Sequence, residues 1–428
     1  MKRIYIYETH IYICLSMIRT YQYRLYPNKK TTKILNYQLE LCRQLYNNAL
    51  TERKEAYRLS HTSLNYKSQA NELPTVKSEN PEFNDIHSQA LQDVLKRLDK
   101  AHKNFFNRVK NKNRKGKKAG FPRYKSKERY NSITYPQSGF KLIHKSKTNS
   151  SKKGILQLSK IGDIKTIISR DIIDGEIKTC TIKKDKVGDW FASFTVEFPD
   201  TVKKPIEQIK EEDIIGVDVG INKLAVQSNS VEIDNPKLIA KYEKGIKTLQ
   251  KLLSKSKKLS YNRAKIRKKL SKKQRKLANA RKDSLHKASN EIVESGNIIV
   301  FEDLNIQGMV QNHNLAKSIS DSSWSKLIDM CIYKAENAGK YIEFVNPRGT
   351  SQLCSRCGAV VKKDLSVRIH SCNNCGLEMD RDLNAALNIR EKYIRNVWNS
   401  VKKPVDALAS TYRKDMQAGT MKQEAPML

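Results

Sequence analysis

Residues 214–226, Ile-Ile-Gly-Val-Asp-Val-Gly-Ile-Asn-Lys-Leu-Ala-Val, decide the fold. They read as a buried strand, a glycine turn and a second strand. An unbroken apolar run such as Ile214–Val217 belongs to a strand covered on both faces. Asp218 then places a carboxylate at the end of that strand, which costs stability unless something cationic meets it. The pattern recurs downstream, where residues 298–301 (IIVF) run into Glu302. A third acid, Asp382, opens the helical stretch DLNAALNIREKYIRNVWNSV. Taken singly, each acid reads as well as a strand-end turn or a helix N-cap. In the order strand, strand, strand, helix, strand, helix, the three give a ribonuclease-H-like arrangement. Hard divalent cations prefer such oxygens, and one or two Mg2+ (or Mn2+) ions there can hydrolyse a phosphodiester.

The sequence between the first two acids is unusual in charge. Residues 244–282 hold 17 Lys or Arg and no Asp or Glu. Ile246, Leu249, Leu253, Ile266, Leu270 and Leu277 keep a helical rhythm, so the segment reads as a pair of basic helices with one apolar stripe. Lys268, Lys269, Lys272 and Lys273 are its densest cationic group, and with no carboxylate to pair them they point to a polyanion. A helix over 321–339 follows, with Asp321 or Ser322 as its cap and Gly339 as its stop. The strand YIEFVN comes next.

Two cysteine pairs, Cys354-Ser-Arg-Cys357 and Cys372-Asn-Asn-Cys375, are separated by 14 residues. Each turn sets two thiolates on one side of a tight loop, and two such knuckles complete a tetrahedron around one structural Zn2+. Gly358 and Gly376 follow the second cysteine of each pair, where the knuckle needs unhindered backbone. Cys14, Cys42, Cys180 and Cys331 stand singly, as small buried or incidental residues.

Toward the amino end, YQYRLY (21–26) alternates like a strand, and Leu35 to Leu50 repeats at helical spacing. Leu91, Val94, Leu95, Leu98, Ala101, Phe105 and Val109 mark a second amphipathic helix. It runs into NKNRKGKKAGFPRYKSKERY, where Arg123 and Lys125 suit phosphates and Phe121, Tyr124 and Tyr130 suit base stacking. The same segment also reads as a solvated charge run beside a strand. Residues 131–200 hold short β-rich runs with Gly and Asp turns, including a hairpin at Lys186–Asp189, and read as a barrel or sandwich. Residues 201–212 read as a linker.

Composition agrees with a polyanion partner. Of 428 residues, 82 are Lys or Arg against 44 Asp or Glu, a formal charge of +38. Self-repulsion of that size calls for a neutralising partner, of which nucleic acid is the first choice and an anionic membrane surface the second. No run of about 20 apolar residues is available to span a bilayer. Residues 1–16 begin like a signal peptide, but Glu8 and His10 interrupt the apolar run and no cleavage site follows. They read as a non-functional extension upstream of a working start at Met17, and the default location is the cytoplasm.

GVDVGINKLAV, FEDLNI, TSQLCSRCG, CNNCG and DRDLNAALNI together resemble the TnpB family of insertion-sequence nucleases, relatives of the type V CRISPR effectors. RLYPNKK, FPRYKSK and the His286-Lys287 pair extend the likeness over residues 17 to about 390. The resemblance implies a multidomain α+β protein. A β-barrel (wedge-like) domain would take residues 17–30 and 121–203, with a helical recognition domain at 31–120. A ribonuclease-H-like (RuvC) nuclease domain would take 204–390, with a zinc-binding insertion at 346–378. Residues 391–428 would be the helix end and a disordered tail. It also implies RNA-guided cleavage of double-stranded target DNA beside a short motif, by a protein encoded alongside a separate transposase. The family's catalytic acids fall on Asp218, Glu302 and Asp382; Asp380 competes for the third place, but Asp382 stands directly before Leu-Asn-Ala-Ala. Gln89, Gln92 and Tyr135 are candidates for motif reading. Two other readings stay open: a strand-transferring transposase, and an RNA-guided DNA-binding regulator without cleavage. A tyrosine-type transposase would need a nucleophile beside a metal-binding histidine pair, and a regulator would be expected to lose an acid. Neither pattern is found.

Overall fold

The computed structural model describes residues 3–7, 10–14, 17–111, 119–146, 152–199, 203–309, 311, 313–364 and 367–401. The polar tail from residue 402 and residues 112–118 of the basic segment lie outside the described residues. The chain divides into two compact units, Met1–Asp200 and Thr201–Leu428. Among the described residues no helix is long and apolar enough to cross a membrane.

In the first unit, β1 (Arg3–Tyr7) and β2 (His10–Cys14) form an antiparallel hairpin. β3 (Met17–Tyr26) follows, then the helices α1 (Lys29–Ser60), α2 (Tyr66–Asn71), α3 (Leu73–Glu79) and α4 (Ser88–Lys110). The strands β4 (Ser132–Tyr135), β5 (Phe140–Ser146), β6 (Lys152–Leu158), β7 (Gly162–Ile168), β8 (Glu176–Lys184) and β9 (Trp190–Phe198) complete it. β3 to β9 make a seven-stranded antiparallel sheet in the order β4-β8-β9-β3-β7-β6-β5. Pro27 ends β3, and the Asn28 side chain caps α1 by accepting from Thr31 N (2.8 Å). The β8–β9 turn is the expected hairpin: Asp185 Oδ1 accepts from the amides of Val187, Gly188 and Asp189 at 2.8–2.9 Å. Alternate residues of β9 (Trp190, Ala192, Phe194, Val196, Phe198) meet Leu35, Leu45, Leu91 and Leu95 of the helices in one continuous core. Tyr135 and Tyr130 belong to that core, which corrects both as nucleic-acid contacts: Tyr135 is 0% exposed and Tyr130 8%. Alternation in a half-buried strand puts Tyr135 inside rather than out.

In the second unit, β10 (Ile214–Val219), β11 (Lys223–Gln227) and β12 (Glu232–Asp234) turn back on one another. α5 (Leu238–Lys255) and α6 (Tyr261–Glu294) form the expected basic pair. No residue of α5 is buried, and α6 continues unbroken past His286. Then come β13 (Ile298–Glu302), α7 (Ile306–Met309), α8 (His313–Ser322), α9 (Trp324–Asn337) and β14 (Tyr341–Val345). β15 (Ile369–Ser371), β16 (Glu378–Asp380), α10 (Arg381–Tyr393) and α11 (Asn399–Val401) close the described chain. The helix expected over 321–339 is broken at Ser323, whose φ is +54°. Asp321 and Ser322 therefore end α8 instead of capping α9. Asp321 caps a different helix: its carboxylate accepts from Ile239 N (2.9 Å) at the start of α5 and from Arg281 (2.9 Å) on α6.

The five-stranded sheet of this unit runs β12-β11-β10-β13-β14, with β10, β13 and β14 parallel. Both faces are covered, which explains the unbroken apolar runs. Ile215, Val217, Ile299 and Phe301 pack toward Leu285 and Ile292 of α6 and Leu327 of α9. Ile214, Ile298 and Val300 pack toward Ile389 and Tyr393 of α10. Gly216 permits that second packing, since a Cβ there would lie 2.2 Å from the carbonyl oxygen of Ala386.

Candidate active site and metal centre

Side chains alternate across a strand, so residues 214, 216 and 218 share a face, as do 298, 300 and 302. The pleat therefore turns Asp218 and Glu302 to the side that α10 covers. The parallel register pairs Val217 with Phe301, which sets the two acids side by side one residue further on. Asp382 lies in the first turn of α10, and its Oδ2 is 4.0 Å from where a Cβ on Gly220 would stand. Burial, then the charges of Glu302 and Asp382, push the Asp218 carboxyl up to about 8. Burial raises Glu302 as well, opposed by a hydrogen bond from Thr350, and burial with the Asp380 charge raises Asp382. The three acids stand wider than the cysteines: among the described residues, only the four cysteines bring three or more ligand atoms within 4.8 Å of one another.

Asp380 has a different task. It is the N-cap of α10, and its Oδ1 accepts from Asp382 N (2.7 Å) and Leu383 N (3.1 Å). That oxygen is spent on two backbone amides at the helix start, which is the work of a cap. The turn after Asp218 is pinned by Trp324, whose indole Nε1–H donates to the Gly220 carbonyl (3.0 Å). Arg368 brings a cation from the cysteine-bearing segment, with Nη1 3.8 Å from Asp382 Oδ2.

Cys354, Cys357, Cys372 and Cys375 converge as their spacing predicts, with Sγ–Sγ distances of 3.6 Å for 354–375 and for 357–372. Zinc–thiolate bonds of about 2.3 Å in a tetrahedron require sulfurs roughly 3.8 Å apart, so the set fits one zinc ion with no open position. The two knuckles are built alike. Gly358 N donates to the Cys354 carbonyl (2.9 Å) and Gly376 N to the Cys372 carbonyl (2.8 Å). Both glycines have positive φ, +74° and +68°, which a side chain there would strain. Hydrogen bonds from the Asn374 side chain and the Ala359 amide hold the Cys357 thiol down to about 6.

The remaining candidates are spread over both units. Lys268, Lys269, Lys272 and Lys273 are all exposed on α6 around the buried Leu270. Arg123 is exposed beside Phe121 and Tyr124, and Lys54 Nζ sits 4.2 Å from the Tyr124 ring centroid. Lys125 is anchored by its backbone to Asn47 of α1 (2.8 and 3.0 Å). Gln89 is half-buried and accepts from Ser138 Oγ (3.1 Å), and Gln92 is half-buried one turn along α4. Residues not singled out in the sequence also shape the site: Thr350, Asn384 and Asn388 hold the segment that joins β14 to the first knuckle. The one local signal is the Asn pair at i, i+4 on α10.

Three family models match the chain: "Helix-turn-helix domain" over residues 17–61, "Probable transposase" over 193–313, and "Cas12f1-like, TNB domain" over 324–389. Residues 17–61 fold here as β3 and the single long helix α1. A Streptomyces pristinaespiralis protein, provisionally named an RNA-guided DNA endonuclease, is 32% identical over 87% of this chain and 88% of its own length. An Escherichia coli K12 protein with the same provisional name, InsQ, is 28% identical over 88% and 92%. In fold, the chain is similar to the protein in a cryo-EM structure of a Cas12f1–sgRNA–target DNA complex. Their TM-score is 0.54 at 15% identity, over 88% of this chain and 99% of that one. The cysteine knuckles, the acids at the strand ends and an alignment spanning almost the whole length agree, and the chain belongs to the TnpB family of RNA-guided nucleases, relatives of the Cas12f effectors.

Proposed function

We infer that this protein is an RNA-guided DNA endonuclease of an insertion sequence, hydrolysing target DNA beside a short motif at Asp218, Glu302 and Asp382. The observation that carries the reading is the facing of three carboxylates across β10, β13 and α10, with Asp218 held up to about 8 by burial and its two acidic neighbours. Such repulsion is relieved either by a proton on one carboxyl or by a bound cation, and acids perturbed in this way cluster at functional sites. The donor set is all carboxylate oxygen, which suits Mg2+ or Mn2+. Bound divalent cations there would supply an activated water and stabilise the leaving oxygen. The chain's own part is to hold three oxygen donors on two adjacent strands and one helix start, while Trp324 keeps the turn after Asp218 in place. The zinc knuckles hold the 346–378 segment in shape.

The finer architecture follows the same reading: a ribonuclease-H-like RuvC domain over 204–390, a β-barrel over 17–30 and 121–203, and a helical recognition domain over 31–120. A cytoplasmic setting and a separate transposase encoded alongside belong to it too. The exposed lysines of α6 would meet guide RNA or the guide–target duplex through phosphates, as RNA-guided effectors hold their heteroduplex by its backbone.

The test is to purify the protein from its host locus, sequence the RNA that comes with it, and present DNA matching that RNA. Discrete cleavage with free ends supports hydrolysis. Strand joining would favour the transposase reading, and binding without cleavage the regulator. A further outcome concerns the lysines. Changing Lys268, Lys269, Lys272 and Lys273 together to Ala should flatten the slope of log affinity against log salt by roughly 3, at about 0.7–0.9 for each phosphate left without its cation. A slope that does not move would remove this face from the interface.

A further inference from the structure

We propose that Thr350 is a positioning residue for Glu302, and that Asn384 and Asn388 of α10 tie it to the zinc knuckles, so that zinc occupancy governs cation binding at the acids. The inference rests on the acid-site reading above.

The segment from Asn346 to Ser355 crosses from the end of β14 to the first knuckle. Along it, three residues on one face of α10, four positions apart, act as clamps. Asn384 Nδ2 donates to the Leu353 carbonyl (2.8 Å), and its Oδ1 accepts from Ser355 N (3.0 Å) inside the first cysteine pair. Asn388 Nδ2 lies between the carbonyls of Thr350 (2.8 Å) and Leu353 (2.7 Å). Lys392 Nζ binds the carbonyls of Asn346 (2.8 Å) and Arg348 (2.9 Å). Asn384 is 0% exposed and Thr350 2%, so these polar groups are committed to their protein partners.

The Thr350 hydroxyl lies between the Glu302 carboxylate and the Pro347 carbonyl (2.8 Å). It has one proton to give, and an ionised carboxylate is the stronger acceptor. Donation to Glu302 fixes the rotation of that carboxylate and leaves its remaining lone pairs for a cation. The helix whose first turn carries Asp382 thus grips the backbone that aims Glu302. Without zinc, the knuckle at Cys354 loosens, Asn384 is deprived of the Ser355 amide, and Thr350 is no longer held at a fixed height above β13. Partners behind a metal's direct ligands typically change its affinity 10- to 100-fold.

The experiment uses the full-length protein, stripped of nucleic acid, titrated with Tb3+ and excited through tryptophan, since Trp324 is anchored to Gly220. Cleavage by the guide-loaded protein is followed against Mg2+ concentration in parallel. Thr350→Val, which keeps shape and removes the hydroxyl, should weaken Tb3+ binding and raise the Mg2+ requirement by about 10- to 100-fold. It should keep one zinc per chain and normal guide-directed DNA binding. Thr350→Ser should restore wild-type behaviour. Cys372→Ser should weaken Tb3+ binding to a similar degree, and combining it with Thr350→Val should add little, because both act through one path. If Thr350→Val fails to fold, Asn388→Ala carries the test, with a smaller effect in the same two readouts. A Thr350→Val protein equal to wild type, or a Thr350→Ser protein as weak as Thr350→Val, overturns the relay. Tb3+ affinity untouched by Cys372→Ser overturns the link to zinc. Emission that survives Asp218→Ala overturns the acid-site reading and the relay with it, whereas emission abolished in Asp218→Ala and unchanged in Thr350→Val overturns the relay alone.

Discussion

Asp218→Asn should abolish cleavage, lowering the rate by at least about 1,000-fold, while guide-directed DNA binding should stay within a factor of a few. The residue sits near the end of the central strand, one position beyond the Val217–Phe301 pair that brings it beside Glu302. The same substitution should stabilise the metal-free protein. Asp218 has its carboxyl pushed up to about 8, far above the ordinary carboxylate value. Between that ordinary value and about 8, the folded chain keeps a proton that the unfolded chain releases. Each pH unit across the window therefore removes up to about 1.4 kcal/mol of stability, and the loss is complete above it. Asn carries no charge, so Asp218→Asn should gain stability over wild type at pH 8 and gain little from this term at pH 4. Denaturant melts at the two pH values, in buffer without added Mg2+ or Mn2+ and with the zinc retained, measure it. Equal stability of the two proteins at pH 8 would sink the account of Asp218, as would a variant that cuts normally. Asp380→Ala supplies the contrast: it should keep cleavage and lose only a helix cap, at about 1 kcal/mol.

Cys372→Ser is expected to cost more stability than any other single change here. Cys372 is 1% exposed, and its thiolate closes the second knuckle against Cys357 at 3.6 Å. Structural zinc in small modules contributes on the order of 10 kcal/mol of folding free energy. The apolar core around these sulfurs adds little: among the described residues, Leu377 is the one buried hydrophobic residue clustered with Cys354 and Cys372. Elemental analysis should find one zinc per chain in the wild type and none in the variant. Limited proteolysis should then cut within residues 346–378 while the five-stranded sheet survives. A wild-type protein isolated without zinc, or a variant that resists protease there, would reject the site.

Much of this is legible in the residues, and the parts that are not share a cause. Asp218 and Glu302 announce themselves because a charge at the end of an unbroken apolar run is costly, and C-x-x-C-G repeated twice is a local geometry. The choice between Asp382 and Asp380 depends on which carboxylate caps α10, and cap assignment shifts with a single residue of helix start. Asp321 has the sequence of a cap for the helix after it, but caps α5 some 80 residues earlier, a pairing no local pattern carries. Tyr135 suits an outward role by type, although a β-strand residue of that size is as readily core. Thr350 is the clearest case. Its partner is 48 positions away, and a threonine before a cysteine pair says nothing by itself about a glutamate on another strand.

The place of β3 has a consequence for the time order of synthesis. This strand lies between β7 and β9, with Met17 paired to Phe198 and Leu25 to Trp190. Ribosomes add about 5–20 residues per second, so β9 is made roughly 10–35 s after β3. The helices α1 and α4 can form within microseconds of being made, whereas β3 waits with both edges open until β7 is made and with one open until β9 follows. Translation speed, not chain diffusion, sets the clock for the first unit. A nascent chain halted before Trp190 would leave Met17–Tyr26 unpaired on the side that β9 later covers, and the sheet closes only when Phe198 has followed.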